Sequence, residues 1–401
     1  MTKYILLLCS ISVAGIGDPG ALTLDRALEL ARKNSPELRA AQIHAQATKS
    51  AMAASGRWEN PKLEFEAEGL GGDMDPYQDA EYMLGIMQKF PIGGKLEKER
   101  EAARHAAGAS GHEAAERELE VLEKVRKAFV ELLAQQETDK VRAEQEELGR
   151  ALVKVAQRRL ETGAGSELEV VQAELVLEET ILSQTCCFGD LEAARVRLAS
   201  LMGVPVKELA LLTGSFYEPV LPEDLAVDDA CPQLQRLEAK ASQLRSEALR
   251  ARAGDVSDLS LGAGYKHDAR EDISTFVFSA SVPLPFSRRG RAEHAAGILR
   301  SEALMEEREY RRMELMRELA TGVALFTGAM AEVDLMKNKL MPKAEEAYEL
   351  SRSGYEAGRF SWLELIAAQQ SLAEIRIRYI DSLRDAHLAL ARISKFRKEG
   401  V

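Results

Sequence analysis

The feature that most constrains this chain is a proline-free helical stretch between residues 94 and 161. The stretch is rich in Ala, Glu, Leu, Lys, Arg and Gln, which are strong helix formers. At 1.5 Å per residue this helix would be about 100 Å long. A compact domain does not contain a helix of that length, so we expect a coiled coil, a rod or part of a tube. Its apolar side chains recur at helical spacing, as in the series Val121, Leu122, Val125, Ala128, Phe129, Leu132 and Leu133.

The residues after this helix predict a long helical hairpin. Gly163 stands at a helix stop position, and Ser166 offers a side-chain cap for a following helix. Glu169 comes three residues after Ser166, which is the spacing of a capping box. A second amphipathic helix then runs from 166 to about 201.

The second half of the chain repeats the first. Short motifs recur in the same order at a nearly constant separation of about 195 residues, which indicates a duplication. The matched positions are Ser35 with Cys231, Leu63 with Leu259, Phe90 with Leu284, Gly163 with Gly358, and Ser166 with Ser361.

This duplication organises the expected segments. The chain divides into a signal peptide at 1–21, a first repeat at 22–202, a linker or equatorial segment at 203–230, and a second repeat at 231–401. A first helix, capped by Thr23, is expected to run to about Arg57. Strands are expected at about 62–70, 81–90, 258–266 and 274–282. Long helices are expected at about 94–161, 166–201, 288–356 and 361–396, the third bent or interrupted by Pro342.

Composition excludes several classes of function. The net charge of -12 argues against a nucleic-acid partner. No residue set suggests catalysis, and the six histidines form no metal motif with cysteine or carboxylate, so we expect neither an enzyme nor a cofactor. We also expect no apolar run of about 18 residues that would form a membrane-spanning helix. Lys3 followed by the apolar residues 4–13 predicts a secretory signal, and whether Cys9 carries lipid stays open.

The strands alternate apolar and polar side chains. Each is about the length that crosses a bilayer when tilted, although in water four such strands could instead pack on helices. A closed barrel needs at least about eight strands, so copies of a four-stranded chain must associate, and three copies give twelve. Phe65, Tyr265, Phe276 and Phe278 would then face lipid. The expected lumenal residues are Lys62, Glu64, Glu66, Glu68, Ser260 and Lys266.

Several motifs resemble a known family. Residues 23–28 and 34–38 resemble the opening of TolC-like outer-membrane efflux proteins. Residues 88–95 resemble the strand-to-helix junction of the heavy-metal efflux (CzcC-like) branch, and 342–347 and 354–358 also match the family. The resemblance implies a trimer with a twelve-stranded outer-membrane β-barrel continued by a periplasmic α-helical barrel. It implies an exit duct for heavy-metal cations or other small toxic compounds. For this branch it also implies docking to a periplasmic adaptor and to an inner-membrane pump of the RND type.

The two hairpin tips are the expected periplasmic mouth. By the resemblance, Glu364 matches an acidic residue that helps close this mouth, and Glu169 is its repeat equivalent. A second family acid is replaced by Ala367, and Arg359 is a candidate cationic neighbour. Simple helix capping explains the same pattern. The residues expected to contact the adaptor are Gly163, Ser166, Gly358 and Ser361.

Two other functions remain open at this point. The same architecture serves as the outer-membrane channel of a type I protein secretion system. A periplasmic coiled-coil scaffold without a pore would explain the long helices, but it does not explain four repeated amphipathic strands.

Overall fold

The computed structural model describes residues 21–69, 80–284, 286 and 289–396. The expected signal peptide up to residue 20, with Cys9, lies outside the described residues, as do residues 70–79 between the first two strands. The elements are helices α1 Leu24–Asn34, α2 Pro36–Ala54, α3 Lys95–Glu161, α4 Glu167–Met202, α5 Pro232–Ala253, α6 Arg289–Leu335, α7 Met341–Glu356 and α8 Trp362–Ile393, with strands β1 Lys62–Glu68, β2 Glu81–Phe90, β3 Leu259–Asp268 and β4 Ile273–Ser281.

The first helix differs from the sequence expectation because it is divided in two. The Thr23 hydroxyl accepts a hydrogen bond from the Arg26 N–H at 3.4 Å, so the expected cap is confirmed. Ser35, however, has an extended ψ of 121° and separates α1 from α2. Ser35 precedes Pro36, whose ring disfavours the helical conformation of the residue before it.

Two compact units are present, and each draws on both halves of the chain. The hairpin unit contains the described residues of Met1–Arg39, Glu118–Val227 and Met316–Val401. The sheet unit contains the described residues of Ala40–Arg117 and Asp228–Leu315. The duplication is therefore a division of the sequence, whereas the compact units are a division in space.

The hairpin unit has an apolar core that also includes the linker. Leu132, Leu198 and Leu383, from three different helices, are fully buried in one cluster. Phe216 of the linker is buried in the same cluster. Leu212 of the linker forms an isolated parallel bridge with Leu22. The linker therefore packs as a small irregular layer.

The His387 side chain of α8 contacts this layer at Phe216. Its Nε2 lies 2.9 Å from the Phe216 carbonyl oxygen, and its ring stacks on the Phe216 ring. Burial lowers the pKa of His387, which keeps the imidazole neutral near pH 7.

The long helix of the second repeat is interrupted, whereas α3 is continuous. A π-helical segment, Met336–Leu340, separates α6 from α7, and Pro342 lies in the first turn of α7. Proline cannot donate the backbone hydrogen bond of an α-helix interior, so the ladder must rearrange before it. The expected interruption is confirmed, and it begins several residues before the proline.

One expectation about composition is corrected. A stretch within Arg289–Glu356 is long and apolar enough, by length and composition alone, to cross a membrane. The sequence shows no simple run of large apolar residues here, because small residues such as Ala320, Ala324 and Gly328 lie between the leucines and phenylalanine.

The sheet unit is built around a four-stranded antiparallel sheet with the order β1-β2-β3-β4. The central β2–β3 pair joins the two repeats, because β2 belongs to the first and β3 to the second. In the same unit, Leu234 and Leu237 of α5 are buried. The buried Ser301 hydroxyl of α6 donates a hydrogen bond to the Ala241 carbonyl at 3.0 Å.

Candidate channel wall and mouth

The strand register sorts the side chains onto two faces. Phe65 pairs with Leu84, Leu84 with Tyr265, and Tyr265 with Phe276, so these four form one row across all four strands. A neighbouring row, two residues along each strand, contains Leu63, Ile86, Ala263 and Phe278. Side chains at such positions point to the same side of a sheet. This surface is called the apolar face below.

The apolar face is exposed in the single chain. Phe276 and Phe278 have 79 % and 81 % of their surface exposed, and Phe65 has 68 %. The Tyr265 and Phe276 rings contact edge to face, with centroids 5.9 Å apart. An aromatic surface of this size is rare in contact with water and marks a membrane or partner surface.

The opposite face contains all of the residues expected to be lumenal. Lys62, Glu64, Glu66 and Glu68 alternate with the apolar residues of β1, and Ser260 and Lys266 lie on the same side of β3 by register. Lys266 forms an ion pair with Glu81. The face is not wholly polar, because Met83, Met87 and Val277 also belong to it.

The sheet is open at both edges. β1 pairs only with β2, and β4 pairs only with β3, among the described residues. Each outer strand therefore presents unpaired backbone N–H and C=O groups to another strand. A sheet with an apolar face cannot span a bilayer in this state, because unpaired backbone groups are costly in hydrocarbon.

The two hairpin tips have the same backbone geometry. Gly163 and Gly358 adopt φ values of 70° and 72°, in the left-handed region that glycine enters without a Cβ clash. The Arg159 carbonyl accepts hydrogen bonds from the N–H groups of Ala164 and Gly165. The Gly354 carbonyl, 195 positions later, accepts from Arg359 and Phe360 in the same way.

Glu364 caps the helix that follows the second tip. Its Oε2 accepts hydrogen bonds from the Ser361 N–H at 2.7 Å and the Ser361 hydroxyl at 2.8 Å. The Ser361 Oγ in turn accepts from the Glu364 N–H, which completes a capping box. These bonds from Ser361 lower the pKa of Glu364, because they favour the carboxylate.

Glu169, at the matching position of the first tip, has a different partner. The Tyr355 hydroxyl donates to its Oε2 at 2.8 Å, and this contact joins α4 to α7. The Ser166 Oγ accepts a hydrogen bond from the Glu169 N–H at 3.3 Å. Among the described residues, the Glu169 carboxylate makes no reciprocal bond to the Ser166 N–H. The two glutamates therefore occupy equivalent positions without making equivalent contacts.

Sequence reasoning missed the other residues of this contact. The Arg159 Nη1 donates to the Tyr355 carbonyl at 2.6 Å, and its guanidinium lies 4.5 Å from the centre of the Tyr355 ring. Trp362 packs edge to face on the same ring, with centroids 5.5 Å apart. We call Arg159, Glu169, Tyr355 and Trp362 the tip latch. The sequence contained signals for this contact. An arginine lies next to one glycine turn, and two aromatic residues lie around the other.

The tip latch is partly withdrawn from water. Tyr355 is fully buried. Burial, followed by the hydrogen bond to Glu169, raises the pKa of Tyr355 to about 12, so the hydroxyl remains a donor at physiological pH. Arg359, the cation that sequence reasoning singled out, is exposed, and within the described chain no ion pair joins it to Glu364.

The described residues gather no group of three or more His, Cys, Asp or Glu side chains placed to hold a metal ion. The geometry provides two features: a four-stranded sheet with one apolar face and two open edges, and a pair of helical hairpin tips joined by a buried tyrosine.

An amphipathic four-stranded sheet with two open edges, combined with duplicated long helical hairpins, defines a class of outer-membrane channel proteins. The comparisons with known proteins agree with this class. The chain belongs to the outer membrane efflux protein family, whose model matches residues 27–204 and 229–396. It is an outer-membrane efflux channel, and members of this family are channel proteins rather than enzymes.

Curated relatives match nearly the whole chain. The cobalt-zinc-cadmium resistance protein CzcC of Cupriavidus metallidurans is 24% identical over 396 residues, covering 94% of this chain and 90% of the relative. The pyoverdine export outer membrane protein OpmQ of Pseudomonas aeruginosa is 24% identical and covers 88% and 80% of the two chains.

Solved structures share the fold. Crystal structures of CusC match with a TM-score of 0.78 at 18% identity, covering 93% of this chain and 92% of that one. The outer membrane channel CmeC of Campylobacter jejuni matches with a TM-score of 0.79 at 14% identity, covering 94% and 87%. The expected mainly helical fold with a four-stranded sheet is thereby confirmed.

Proposed function

We propose that this chain is the exit duct of a tripartite efflux system and that it exports heavy-metal cations across the outer membrane. A periplasmic adaptor and an inner-membrane pump of the RND type complete the system. The single observation that carries the duct is the sheet, since an exposed apolar face lies opposite a charged face on four strands, of which β2, β3 and β4 are 10, 10 and 9 residues long. The metal cargo is supported by the similarity to CzcC over 94% of the chain.

The duct is a homotrimer. Each chain contributes four strands, and both outer strands offer unpaired edges. Three chains supply twelve strands, which exceeds the minimum of about eight for a closed barrel. Closure joins β4 of one chain to β1 of the next and satisfies every edge.

The charged sheet face lines the pore. Lys62, Glu64, Glu66 and Glu68 would lie in the lumen together with Ser260 and Lys266. Counting Glu81 and Asp268, five acidic side chains lie on this face with three lysines, of which Lys89 is the third. The excess of negative charge favours cations.

The hairpin tips form the periplasmic mouth. Gly163, Ser166, Gly358 and Ser361 contact the adaptor, while Glu169, Glu364 and Arg359 border the opening. The contact between Tyr355 and Glu169 supports this role, because it ties the two hairpins of one chain together at the tips. An adaptor that competes for these groups would release the second hairpin and widen the mouth.

Metal tolerance of the host cell tests the cargo. A strain without this gene is expected to lose tolerance to cobalt, zinc and cadmium, and the intact gene is expected to restore it. Phe276→Lys should fail to restore tolerance, whereas Ser279→Lys on the opposite face should restore it at least in part. The deletion could instead leave tolerance to every metal unchanged and abolish export of a small organic compound or a protein. That result would contradict the proposed metal cargo and still support the proposed exit duct.

Conductance tests the duct separately. The purified protein is expected to form cation-selective channels in planar bilayers. A protein that stays in the soluble fraction of cells and forms no channels in planar bilayers would support the scaffold alternative instead.

A further inference from the structure

Charges on the face of the sheet opposite the apolar face are separated along the strands. We call the end where β1 connects to β2 and β3 to β4 the loop end, and the opposite end, where the helices attach, the helix end. The register places the side chains of this face at five successive levels. The two levels nearest the helix end contain Lys62 and Lys89 and no acidic residue. The three levels nearest the loop end contain a single lysine, Lys266, and all five acidic residues of the face, which are Glu64, Glu66, Glu68, Glu81 and Asp268.

The last level at the loop end places three carboxylates side by side. Glu68 pairs directly with Glu81, and Glu81 pairs directly with Asp268. Lys266, one level away, forms its ion pair with Glu81. Within the described ranges no salt bridge neutralises Glu68 or Asp268. Like charges on directly opposite residues repel, so this level keeps an excess of negative charge that the sheet itself does not compensate.

The charges at the helix end are nearly balanced. The Lys89 Nζ lies 3.0 Å from a Glu59 carboxylate oxygen and 3.4 Å from an Asp258 carboxylate oxygen. Asp258 also binds the Lys95 Nζ at 2.5 Å. Two carboxylates and two ammonium groups therefore compensate one another here, and Lys62 adds a positive charge. The acidic excess of the face is confined to the loop end.

The two ends are far enough apart to act separately on ions. Glu68 follows Lys62 by six residues on β1, which is about 20 Å along the strand and about 14 Å along the membrane normal at a tilt of about 45°. The electrostatic screening length is about 10 Å in 0.1 M salt and about 3 Å in 1 M salt. Each end therefore determines the ion concentrations in its own part of a pore.

We infer that the loop end of the sheet sets the cation selectivity of the duct and that this selectivity is sided. Glu68, Glu81 and Asp268 are the specificity-determining residues, and three copies of each would surround the opening. This inference rests on the membrane-spanning trimer of the proposed function. The carboxylates attract cations without chelating them, because the described residues gather no group of three or more such side chains placed to hold a metal ion. Weak attraction allows a cation to leave the pore as readily as it enters.

Reversal potentials in planar bilayers measure this sidedness. Protein is added on one side, and the helices stay on that side because their charged surfaces do not cross a bilayer. A tenfold gradient of potassium chloride, from about 1 M to about 0.1 M, is applied in both directions, and each reversal potential gives a ratio of potassium to chloride permeability. The loop-end carboxylates act over a longer distance when the dilute solution faces them, because screening there is weaker.

Neutralising the loop end should change only one of the two measurements. The Glu68→Gln, Asp268→Asn double variant is expected to lower the permeability ratio about twofold when the dilute solution faces the loop end, and to leave it unchanged in the opposite gradient. Asparagine at 268 keeps the Oδ1 atom that accepts hydrogen bonds from the Arg270 and Glu271 N–H groups. The opposite gradient controls for charges elsewhere in the pore.

A matched control removes two carboxylates from a helix instead. Glu302 and Glu306 are exposed on α6, and the Glu302→Gln, Glu306→Gln variant makes the same change in charge. It should leave the permeability ratio unchanged when the dilute solution faces the loop end.

Lys266→Gln tests the opposite direction. It removes the lysine of the loop-end levels and should raise the permeability ratio with the dilute solution on the loop side. A misfolded pore would not produce such a gain. Conductance with about 1 M salt on both sides checks that each variant forms an intact pore, because screening there is nearly complete.

The outcomes separate this inference from the proposed function. A double variant that lowers the ratio equally in both gradients, or that matches the control, overturns the sided selectivity while the duct remains. An unchanged ratio in Lys266→Gln also contradicts it. If the unmodified protein forms no conducting channels, the proposed duct itself is wrong.

Discussion

At the scale of single residues, equivalent positions in this duplicated chain make different hydrogen bonds. Glu364 accepts both bonds from Ser361 and stabilises the start of its own helix. Glu169 instead accepts the Tyr355 hydroxyl from another helix. The orientation of the Glu364 carboxylate is set by its bonds to Ser361 in its own helix. In that orientation it can still border the proposed periplasmic mouth.

The capping box should depend on pH. The pKa of Glu364 lies below its usual 4.5 in the folded chain, because the carboxylate accepts two bonds from Ser361. A lowered folded pKa contributes stability above the unfolded pKa, and that stability is lost as pH falls through the folded value. Hydrogen exchange in the first turn of α8 is therefore expected to accelerate below about pH 4.5. Glu364→Gln should remove this pH dependence, and an unchanged profile in that variant would contradict it.

Removing the Tyr355 hydroxyl should weaken the tip latch. Tyr355→Phe keeps the buried ring and deletes the bond to Glu169, a loss of about 0.5–1.5 kcal/mol for one hydrogen bond. The open fraction of the purified channel in planar bilayers is expected to rise. Tyr310→Phe, an exposed tyrosine in the sheet unit, serves as the control. Equal open fractions in the two variants would show that the latch does not restrain the mouth.

At the scale of elements, two glycines of the second tip are required for different reasons. Gly358 has φ of 72° but nothing within 4 Å of an added Cβ, so only the backbone conformation resists alanine there. Gly354 is helical, and an added Cβ would meet the Phe360 ring.

Alanine substitutions separate these two causes. Gly358→Ala should cost about 1–2 kcal/mol through the left-handed conformation alone. Gly354→Ala should also displace Phe360, which a change in the exchange rates of the Arg359 and Phe360 amides would reveal. The tip assignment is wrong if Gly358→Ala leaves thermal unfolding unchanged.

The strand faces should differ in their tolerance of charge. Phe276→Lys places an ammonium on the apolar face and should cost about 2–4 kcal/mol if the residue lies near the bilayer midplane. Ser279→Lys lies on the other face by register and should assemble with altered conductance. The comparison is made by folding yield in vesicles, and similar yields for both variants would refute the alternation.

At the scale of the whole molecule, the open sheet edges determine the assembly. We expect three chains per particle in mild detergent, since twelve strands close a barrel and four do not. Light scattering coupled to gel filtration measures the mass directly. A stable monomer that retains its helix and strand content would contradict the proposed trimeric duct.

The sequence by itself determined the repeating elements. Helical periodicity, glycine stops and strand alternation are local, and they predicted the hairpins, the capping residues Thr23, Ser166 and Ser361, and the separation of Phe65 from Glu64 and Glu66. These features follow from backbone geometry over a few residues, so they can be read without knowing what packs against them. The break at Ser35 is equally local, because it follows from the restriction that Pro36 places on the residue before it.

Only the tertiary structure decided which distant residues meet. Arg159 and Tyr355 are 196 positions apart, and the pairing of Tyr355 with Glu169 across two helices depends on how the hairpins pack. The contact between the Trp58 and Phe90 rings, and the contact of His387 in α8 with Phe216 of the linker, also depend on tertiary packing. Such contacts depend on helix rotation and strand register over long separations, and a single sequence leaves these undetermined because many packings satisfy the same local periodicity.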